Sequence, residues 1–292
     1  MEHKIQPLIP GNIEGLEEIA RQLLEGVPPE PAAEEGEEEK STNISNAFNL
    51  EDYVFLKGRS HGNYSYPNLI VSMYRLPNVP DVEQTAKKLG FNTANSAEEN
   101  NGRSFIGNIN WQQGIKLNLG LGGRTLSPRQ YADFLGLLKS GNAVDGNGRK
   151  IPKKKLTEVF SEIIQVRDPY RAEWLDADFK YSSGKLWIHS NHRLVNGNLD
   201  AGYKKELESC LMKDRTPGID LDYWIKNATM QGLPPINNPN GKLYYWCPDK
   251  DNNSVARFDA DSGRAYLDCC RGPSYTDSSL GVRHVREARA KK

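Results

Sequence analysis

The chain has 292 residues, a length that suits one large domain or two small ones. Its 38 basic and 38 acidic residues cancel, and this balance argues against a protein that binds nucleic acid through counterion release. No apolar run approaches the roughly 18 residues of a membrane-spanning helix, the first residues lack a signal-peptide core, and four cysteines are too few for a disulfide scaffold. We therefore expect no membrane insertion and no nucleic-acid partner. The cytoplasm is the default location unless the protein is displayed by a non-classical route or on a particle.

The first 48 residues differ in composition from the rest of the chain. Residues 1–25 include an amphipathic pattern from Asn12 to Leu24, which predicts a short helix with Asn12 as its N-cap. Residues 26–48 are rich in proline and glutamate and contain few large apolar side chains, a composition typical of an acidic linker. The main domain is expected to occupy residues 49–292.

Local signals predict several helices in the main domain. The clearest helix has Ser127 as its N-cap, Pro128 at its first position, Gln130 three residues after the cap, and Gly141 at its end. Further helices are predicted at residues 82–89, 154–165 and 203–212.

Short strands are predicted on both sides of these helices. The alternation of Ile115, Leu117 and Leu119 with polar residues indicates a half-buried strand. Other strands are expected at residues 53–57, 69–76, 242–247, 254–258, 265–269 and 281–285. Because helices and strands alternate irregularly and no internal repeat is present, the sequence predicts an α+β fold with antiparallel pairing.

Two groups of residues resemble binding motifs but lack their spacing. Gly120, Gly122 and Gly123 do not form a complete phosphate-binding fingerprint, so they predict a turn. His189 and His192 have no cysteine or carboxylate companion in fixed register, so they predict a pair at the end of a strand rather than a metal site.

Two pairs of reactive side chains that lie close together in the sequence also favour structural roles. Asp176 and Asp178 are expected to form salt bridges, because no cleft is defined around them in the sequence. A disulfide between the neighbours Cys269 and Cys270 would be strained, so both are expected to be free thiols, one buried and one exposed. We expect no metal ion and no other cofactor.

The most informative stretch is the segment from residue 251 to residue 285. It contains no Lys, Glu, Gln, Met or Trp, although these five types make up roughly a fifth of the chain and about seven would be expected by chance. Every residue in the segment can be encoded by a codon that ends in a pyrimidine.

This pattern resembles the variable proteins of diversity-generating retroelements, in particular the archaeal branch with a C-type-lectin fold. In those systems a reverse transcriptase copies a template repeat with errors at adenines, so asparagine codons become any of fifteen residue types. The five excluded types are the five that are missing here. The resemblance covers about residues 49–287 and is supported by three local motifs: Arg124-Thr-Leu-Ser-Pro-Arg-Gln-Tyr, Ser254-Val-Ala-Arg and Leu280-Gly-Val-Arg-His-Val-Arg.

The resemblance implies a C-type-lectin-like fold of the formylglycine-generating-enzyme type and a ligand-binding display protein without catalytic activity. A variable region at about residues 254–285 would recognise a macromolecular ligand, either a protein or a cell-surface component. Five apolar residues are expected to form its framework: Val255, Leu267, Leu280, Val282 and Val285. Ten residues are expected to form its exposed contact surface: Phe258, Asp259, Asp261, Arg264, Tyr266, Cys270, Arg271, Tyr275, Thr276 and Asp277.

The same fold leaves an oxidoreductase of the formylglycine-generating type as an alternative. Such enzymes need two separated cysteines near the end, whereas Cys269 and Cys270 are contiguous, and related iron enzymes need several histidines at one site. Calcium-dependent sugar binding needs a Glu-Pro-Asn or Gln-Pro-Asp motif, and the nearest match is Glu30-Pro31-Ala32 in the linker. A third hypothesis is a structural protein whose N-terminal helix docks on a partner.

Overall fold

The computed structural model describes residues 48–91, 94–95, 103–250 and 253–288. The helix predicted at residues 12–24 and residues 26–47 of the predicted linker lie outside this part of the chain, which begins at Phe48. The described residues form a short 3-10 turn at Leu50–Asp52 and five α-helices: α1 (Pro80–Lys88), α2 (Trp111–Gly120), α3 (Pro128–Ser140), α4 (Lys153–Ile164) and α5 (Leu221–Asn227).

The strands of the described residues form one large sheet, one three-stranded sheet and two small pairs. The three-stranded sheet is antiparallel, with the order β1 (Tyr53–Leu56), β4 (Leu69–Arg75), β15 (Arg283–Glu287). The small pairs are β2 (Arg59–His61) with β3 (Tyr64–Tyr66), and β5 (Ala94–Asn95) with β6 (Ile106–Gly107).

The large sheet has eight strands, and most of its pairs are antiparallel. Its order is β10 (Arg215–Ile219), β11 (Leu243–Trp246), β13 (Ala265–Arg271), β12 (Ser254–Ala260), β7 (Arg171–Ser182), β8 (Lys185–Val195), β9 (Asn198–Glu206), and β14 (Leu280–Gly281) pairs with β7. Only the pairs β11/β13 and β14/β7 run parallel among these described strands. The predicted α+β class is thereby confirmed.

Helix α3 has the ends that its sequence predicts. The hydroxyl of Ser127 accepts a hydrogen bond from the backbone N–H of Gln130 (3.3 Å), and the side chain of Gln130 accepts one from the N–H of Ser127 (3.1 Å). Gly141 ends the helix with φ 65°, a left-handed conformation that glycine adopts without steric cost. Between these caps, the helix buries Tyr131 and Phe134 against the large sheet.

The strand predicted at residues 115–119 is wrong, because these residues belong to α2. Asn110 and Gln113 form a capping box that starts this helix. Asn118, which the alternation placed in water, is fully buried, and its amide donates to Thr125 Oγ1 (2.7 Å) and to the carbonyl of Arg283 (2.9 Å). The helix is therefore buried on more than one face. Its sequence for that reason lacks the division into one apolar and one polar face by which an amphipathic helix is recognised.

The helix predicted at residues 203–212 is also wrong. Residues 203–206 complete β9, where Tyr203 lies opposite Ser190 of β8, and residues 207–212 form no helix. The histidines predicted at a strand end lie within β8 instead, since that strand continues to Val195. Pairing with β8 thus overrides the local pattern, as tertiary contacts commonly do.

The core consists of two clusters that meet the large sheet. One cluster joins α3, α4 and α5 to β11, β12 and β13, and the other surrounds Trp111 and Ile115 of α2. All five predicted framework residues are at most 1% exposed, which confirms their burial: Val255, Leu267, Leu280, Val282 and Val285.

A network of buried charges links α3 to the sheets. Glu173 pairs with Arg171 (2.9 Å) and Arg283 (3.0 Å), and the hydroxyl of Tyr131 donates to the same carboxylate at 2.5 Å. Burial alone would raise the pKa of Glu173, but the two guanidinium groups outweigh it and lower the pKa to about 2. The network therefore stays charged and holds Arg283 of the closing strand in place.

Candidate binding site

Strands β11, β13 and β12 carry six side chains on the face opposite the helices. In register across the three strands, Trp246 lies beside Asp268, which lies opposite Arg257. Two residues further along each strand, on the same face, Tyr244 lies beside Tyr266, which lies opposite Asp259. We call this set the outer face: Tyr244, Trp246, Asp259, Arg257, Tyr266 and Asp268. Their neighbours in sequence, including Tyr245, Phe258 and Leu267, point into the core because side chains alternate along a strand.

A cleft of about 290 Å³ opens over part of the outer face. It contains an aromatic wall, two carboxylates and two guanidinium groups. Its lining residues are Trp246, Asp261, Arg264, Tyr266, Asp268, Cys270, Arg271 and Gly272. The structure thus brings together five of the ten predicted contact residues: Asp261, Arg264, Tyr266, Cys270 and Arg271.

Aromatic side chains form one wall of the cleft. The rings of Trp246 and Tyr266 meet edge to face, with centroids 4.9 Å apart. The guanidinium group of Arg264 lies 5.1 Å from the ring centre of Tyr244 and 5.9 Å from that of Trp246, within the range of cation–π attraction. These contacts hold an exposed cation against a flat apolar surface.

Asp268 forms the floor of the cleft. Its Oδ2 atom accepts hydrogen bonds from Arg257 Nε and Arg271 Nε, each at 3.2 Å, and its Oδ1 atom accepts one from the N–H of Cys270 at 3.0 Å. Asp268 is almost fully buried, while the side chain of Arg271 is 39% exposed. The carboxylate of Asp268 therefore pairs both with a buried guanidinium group, that of Arg257, and with a partly exposed one, that of Arg271.

Asp259 lies deeper, beside the same cation. Its carboxylate is 2.9 Å from Arg257 Nη2 and has no exposed surface. Burial raises the pKa of Asp259, Arg257 opposes this effect, and the negative charge of Asp268 adds to it, with a resulting pKa of about 7. The ring centres of Tyr275 and Tyr266 lie 5.0 Å and 5.9 Å from the Arg257 guanidinium.

The two adjacent cysteines lie on opposite sides of β13. Cys269 is buried and Cys270 is exposed, as the sequence predicts. Desolvation and the charge of Asp268 raise the pKa of Cys270 to about 12, so its thiol stays protonated near neutral pH. A protonated thiol is a poor nucleophile and a poor metal ligand.

Two predicted contact residues prove to be part of the interior. Phe258 is fully buried because β12 is covered on both faces, and its ring packs 5.4 Å from that of Tyr131 and 6.3 Å from that of Trp224. Asp259 is equally buried, since Arg257 and Tyr266 cover it. The prediction that Tyr266 is exposed is also wrong: it is 9% exposed because Trp246 packs edge to face against its ring, although part of the side chain lines the cleft.

The remaining three predicted residues lie on the loop that follows β13, outside the cleft lining. Tyr275 is half-buried, and its ring centre is 5.1 Å from the guanidinium of Arg271. Thr276 is exposed. Asp277 is half-buried and its carboxylate accepts a hydrogen bond from the N–H of Ser279 (2.8 Å), so it shapes the loop.

Sequence reasoning missed three lining residues: Trp246, Asp268 and Gly272. Trp246 precedes the segment with the biased composition, so that signal could not include it. Asp268 follows Tyr266 by two residues in a predicted strand, and this period of two could have placed both on one face.

A second polar group lies on β7 and β8, away from the cleft. Asp176 accepts a hydrogen bond from the ring of His192 at 2.5 Å, and Asp178 pairs with Lys180 at 3.0 Å, which confirms the expected salt bridges. Burial lowers the pKa of His192, but hydrogen bonds to Asp176 and Asp178 outweigh it and raise the pKa to about 9. Within the described ranges, no cluster of three histidine, cysteine or acidic residues is arranged to hold a metal ion.

Comparison of this chain with protein-family models, with curated proteins and with solved structures finds no match. In the part of the chain that the structure describes, no helix combines the length and apolar character needed to cross a membrane.

Proposed function

We propose that the protein is a ligand-binding display protein whose C-terminal surface is diversified by a retroelement through adenine-directed mutagenesis. The observation that carries this proposal is the absence of five residue types from residue 251 to residue 285. Seven of the eight residues that line the cleft come from this segment. A segment of restricted composition and a surface cleft thus coincide.

The division between buried and accessible positions supports the proposal. Val255, Leu267 and Val282 fill the core, where a random residue would cost about 2–5 kcal/mol. Arg264, Cys270 and Thr276 are exposed, and substitutions at exposed positions usually change stability by about 0.5 kcal/mol or less. Exchange of side chains at the second group is therefore compatible with a constant scaffold.

We further propose that the scaffold is C-type-lectin-like. The motif expected to open the variable region, Ser254-Val-Ala-Arg, begins β12. The motif expected to close it, which starts at Leu280, runs through β14 and β15. A sheet of mostly antiparallel strands and a few helices agree with this proposal at the level of fold class.

The first experiment is a search of the surrounding genome. The proposal requires a reverse transcriptase gene and an imperfect repeat of the codons for residues 254–285, in which the differences fall at adenines of the repeat. The proposal would be contradicted if the genome contained no reverse transcriptase gene. It would also be contradicted if the repeat differed from the codons for residues 254–285 at all four bases rather than at adenines.

A display library provides a test at the level of the protein. One library randomises Arg264, Cys270, Arg271 and Thr276, and a matched library randomises Val255, Leu267, Leu280 and Val282. We expect most members of the first library to fold and to yield binders for new targets, and few members of the second library to fold. Equal fractions of folded protein in the two libraries would contradict the proposed division.

The enzyme alternative makes a different prediction about Cys270. If catalysis required a metal-bound thiolate, purified protein would bind copper or iron in stoichiometric amounts, and Cys270→Ser would abolish binding. We expect neither, because the raised pKa of this thiol disfavours the thiolate. Metal analysis of the wild type and the variant distinguishes the two functions.

A further inference from the structure

The carboxylates of the cleft already accept hydrogen bonds from groups of the protein itself. Asp268 accepts three hydrogen bonds, from Arg257, Arg271 and the N–H of Cys270. Asp261 accepts from the N–H groups of Gly263 (2.8 Å) and Arg264 (2.9 Å). Asp268 Oδ2 and Asp261 Oδ1 each accept two hydrogen bonds, so the acceptor most open to a ligand that donates hydrogen bonds is Asp261 Oδ2, which Arg264 Nε approaches at 3.4 Å.

The guanidinium groups of the cleft are not saturated. Arg264 directs only Nε toward Asp261, at 3.4 Å, and Arg271 directs Nε and Nη2 toward Asp268, at 3.2 Å and 3.1 Å. Each guanidinium carries five N–H donors. Among the described residues, most donors of Arg264 and several of Arg271 thus have no acceptor, and both side chains are about two-fifths exposed.

We propose that the cleft binds an oxyanion, a carboxylate or a phosphate, carried next to an apolar or aromatic group of the ligand. This inference names the ligand class of the binding site proposed above and rests on that function only for the identity of the site. Two guanidinium groups supply the donors, and the edge-to-face pair of Trp246 and Tyr266 supplies the apolar wall.

A cationic ligand fits the cleft less well than an anionic one. It would have to displace Arg264 or Arg271 from a carboxylate that is already paired, and it would meet the positive charge of both. The buried cation Arg257 lies behind Asp268, and the carboxylates of Asp259, Asp261 and Asp268 balance the charges of Arg257, Arg264 and Arg271. The excess of unused guanidinium donors, rather than a net positive charge, therefore favours an anion.

Matched small probes test the proposal. Benzoate and benzamide have nearly the same shape, but only benzoate carries a charge, and benzamidine carries the opposite charge. The Nε–Hε signals of Arg264 and Arg271 are followed by NMR during titration of the full chain. We expect saturable shifts with benzoate and none with benzamide or benzamidine. Phenyl phosphate, tested in parallel, shows whether the site prefers a phosphate to a carboxylate.

Variants show whether the two arginines bind the probe. Because the double variant Arg264→Gln/Arg271→Gln lacks the two NMR signals, its affinity and that of the wild type are compared by isothermal titration calorimetry. The double variant should bind benzoate about tenfold or more weakly, since each substitution removes charge-assisted hydrogen bonds. Arg193→Gln, a substitution on the exposed hairpin of β8 and β9, should leave binding unchanged. Thermal unfolding of all variants confirms that they fold.

Two outcomes would overturn the inference: benzamide or benzamidine binding as tightly as benzoate, or unchanged benzoate binding in the double variant. Neither outcome bears on the genomic repeat, so a failure of the ligand class is distinguishable from a failure of the proposed function. Conversely, if the protein binds benzoate but the genome contains no repeat, the proposed ligand class is supported and only the proposed diversification is contradicted.

Discussion

Arg257 and Asp268 face each other across β12 and β13, and the Nε atom of Arg257 lies 3.2 Å from Oδ2 of Asp268. Both side chains are buried, yet Asp268 also binds the exposed Arg271. The cleft is therefore anchored by an ion pair that belongs to the interior. Replacement of the exposed partner leaves this pair intact, which separates the binding surface from the stability of the sheet.

Removal of Asp268 tests this anchor. Asp268→Ala should lower the free energy of unfolding by roughly 3 kcal/mol, because Arg257 stays buried with Asp259 as its remaining partner. The control is Asp200→Ala, which removes surface pairs with Lys204 and Arg193 and should cost much less, because exposed ion pairs contribute little to stability. Urea denaturation of both variants provides the comparison, and equal losses would show that the ion pair is not an anchor.

Phe258 provides a second test, since the structure moves it from the contact surface to the core. Phe258→Ala should cost about 3–5 kcal/mol, because the ring packs against Tyr131 and Trp224. The combined variant Arg264→Ser/Cys270→Ser/Thr276→Ala should shift the melting temperature little. If Phe258→Ala were as stable as the combined variant, the placement of Phe258 in the core would be contradicted.

Short-range signals in the sequence predicted the fold class and the ends of α3. Ser127, Pro128, Gln130 and Gly141 act within a few residues of one another, so their roles do not depend on tertiary packing. Strand β12 could be predicted as a strand, but its exposure could not. One face of β12 packs against Tyr131 and Trp224, and Tyr266 and Tyr275 cover the other face. No local pattern within β12 encodes these contacts.

Buried charged residues were the least predictable part of the molecule. Glu173, Arg283, Arg257 and Asp268 carry charges that composition assigns to the surface. Their pairing depends on register between strands, which no local pattern encodes. For the same reason the sequence predicted an exposed Asp259, whereas the structure places it under Tyr266 beside Arg257.

The protonation of His192 should make the stability of the protein depend on pH. Its folded pKa of about 9 lies above the ordinary value of 6.5, so its contribution to stability is fully present below pH 6.5 and is lost as pH rises through 9. His192→Gln should lower the free energy of unfolding at pH 6 by about 2–3 kcal/mol and reduce the loss between pH 6 and pH 10. His189→Gln is the control and should retain that loss. A wild-type protein equally stable at pH 6 and pH 10 would contradict the assignment.

Asp259 should make both stability and ligand affinity depend on pH near neutrality. The charged and titratable groups around it are Arg257 on its own strand, Tyr266 and Asp268 on β13, and Arg271; the facing residue of β7 is Ala172. Its folded pKa of about 7 exceeds the ordinary value of 3.8. The stability that its protonation contributes is therefore fully present below pH 3.8 and is lost as pH rises through 7.

Asp259→Asn holds this position in an uncharged form at every pH. The variant should be more stable than the wild type at pH 8, with a smaller change in the free energy of unfolding between pH 6 and pH 8. Protonation of Asp259 also leaves the charge of Arg257 less compensated beneath the cleft, so wild-type protein should bind benzoate more tightly at pH 6 than at pH 8. Benzoate remains ionised over this range, as ordinary carboxyl groups do. The variant should bind benzoate equally at both pH values. The same pH dependence in the variant as in the wild type would assign the titration to another group.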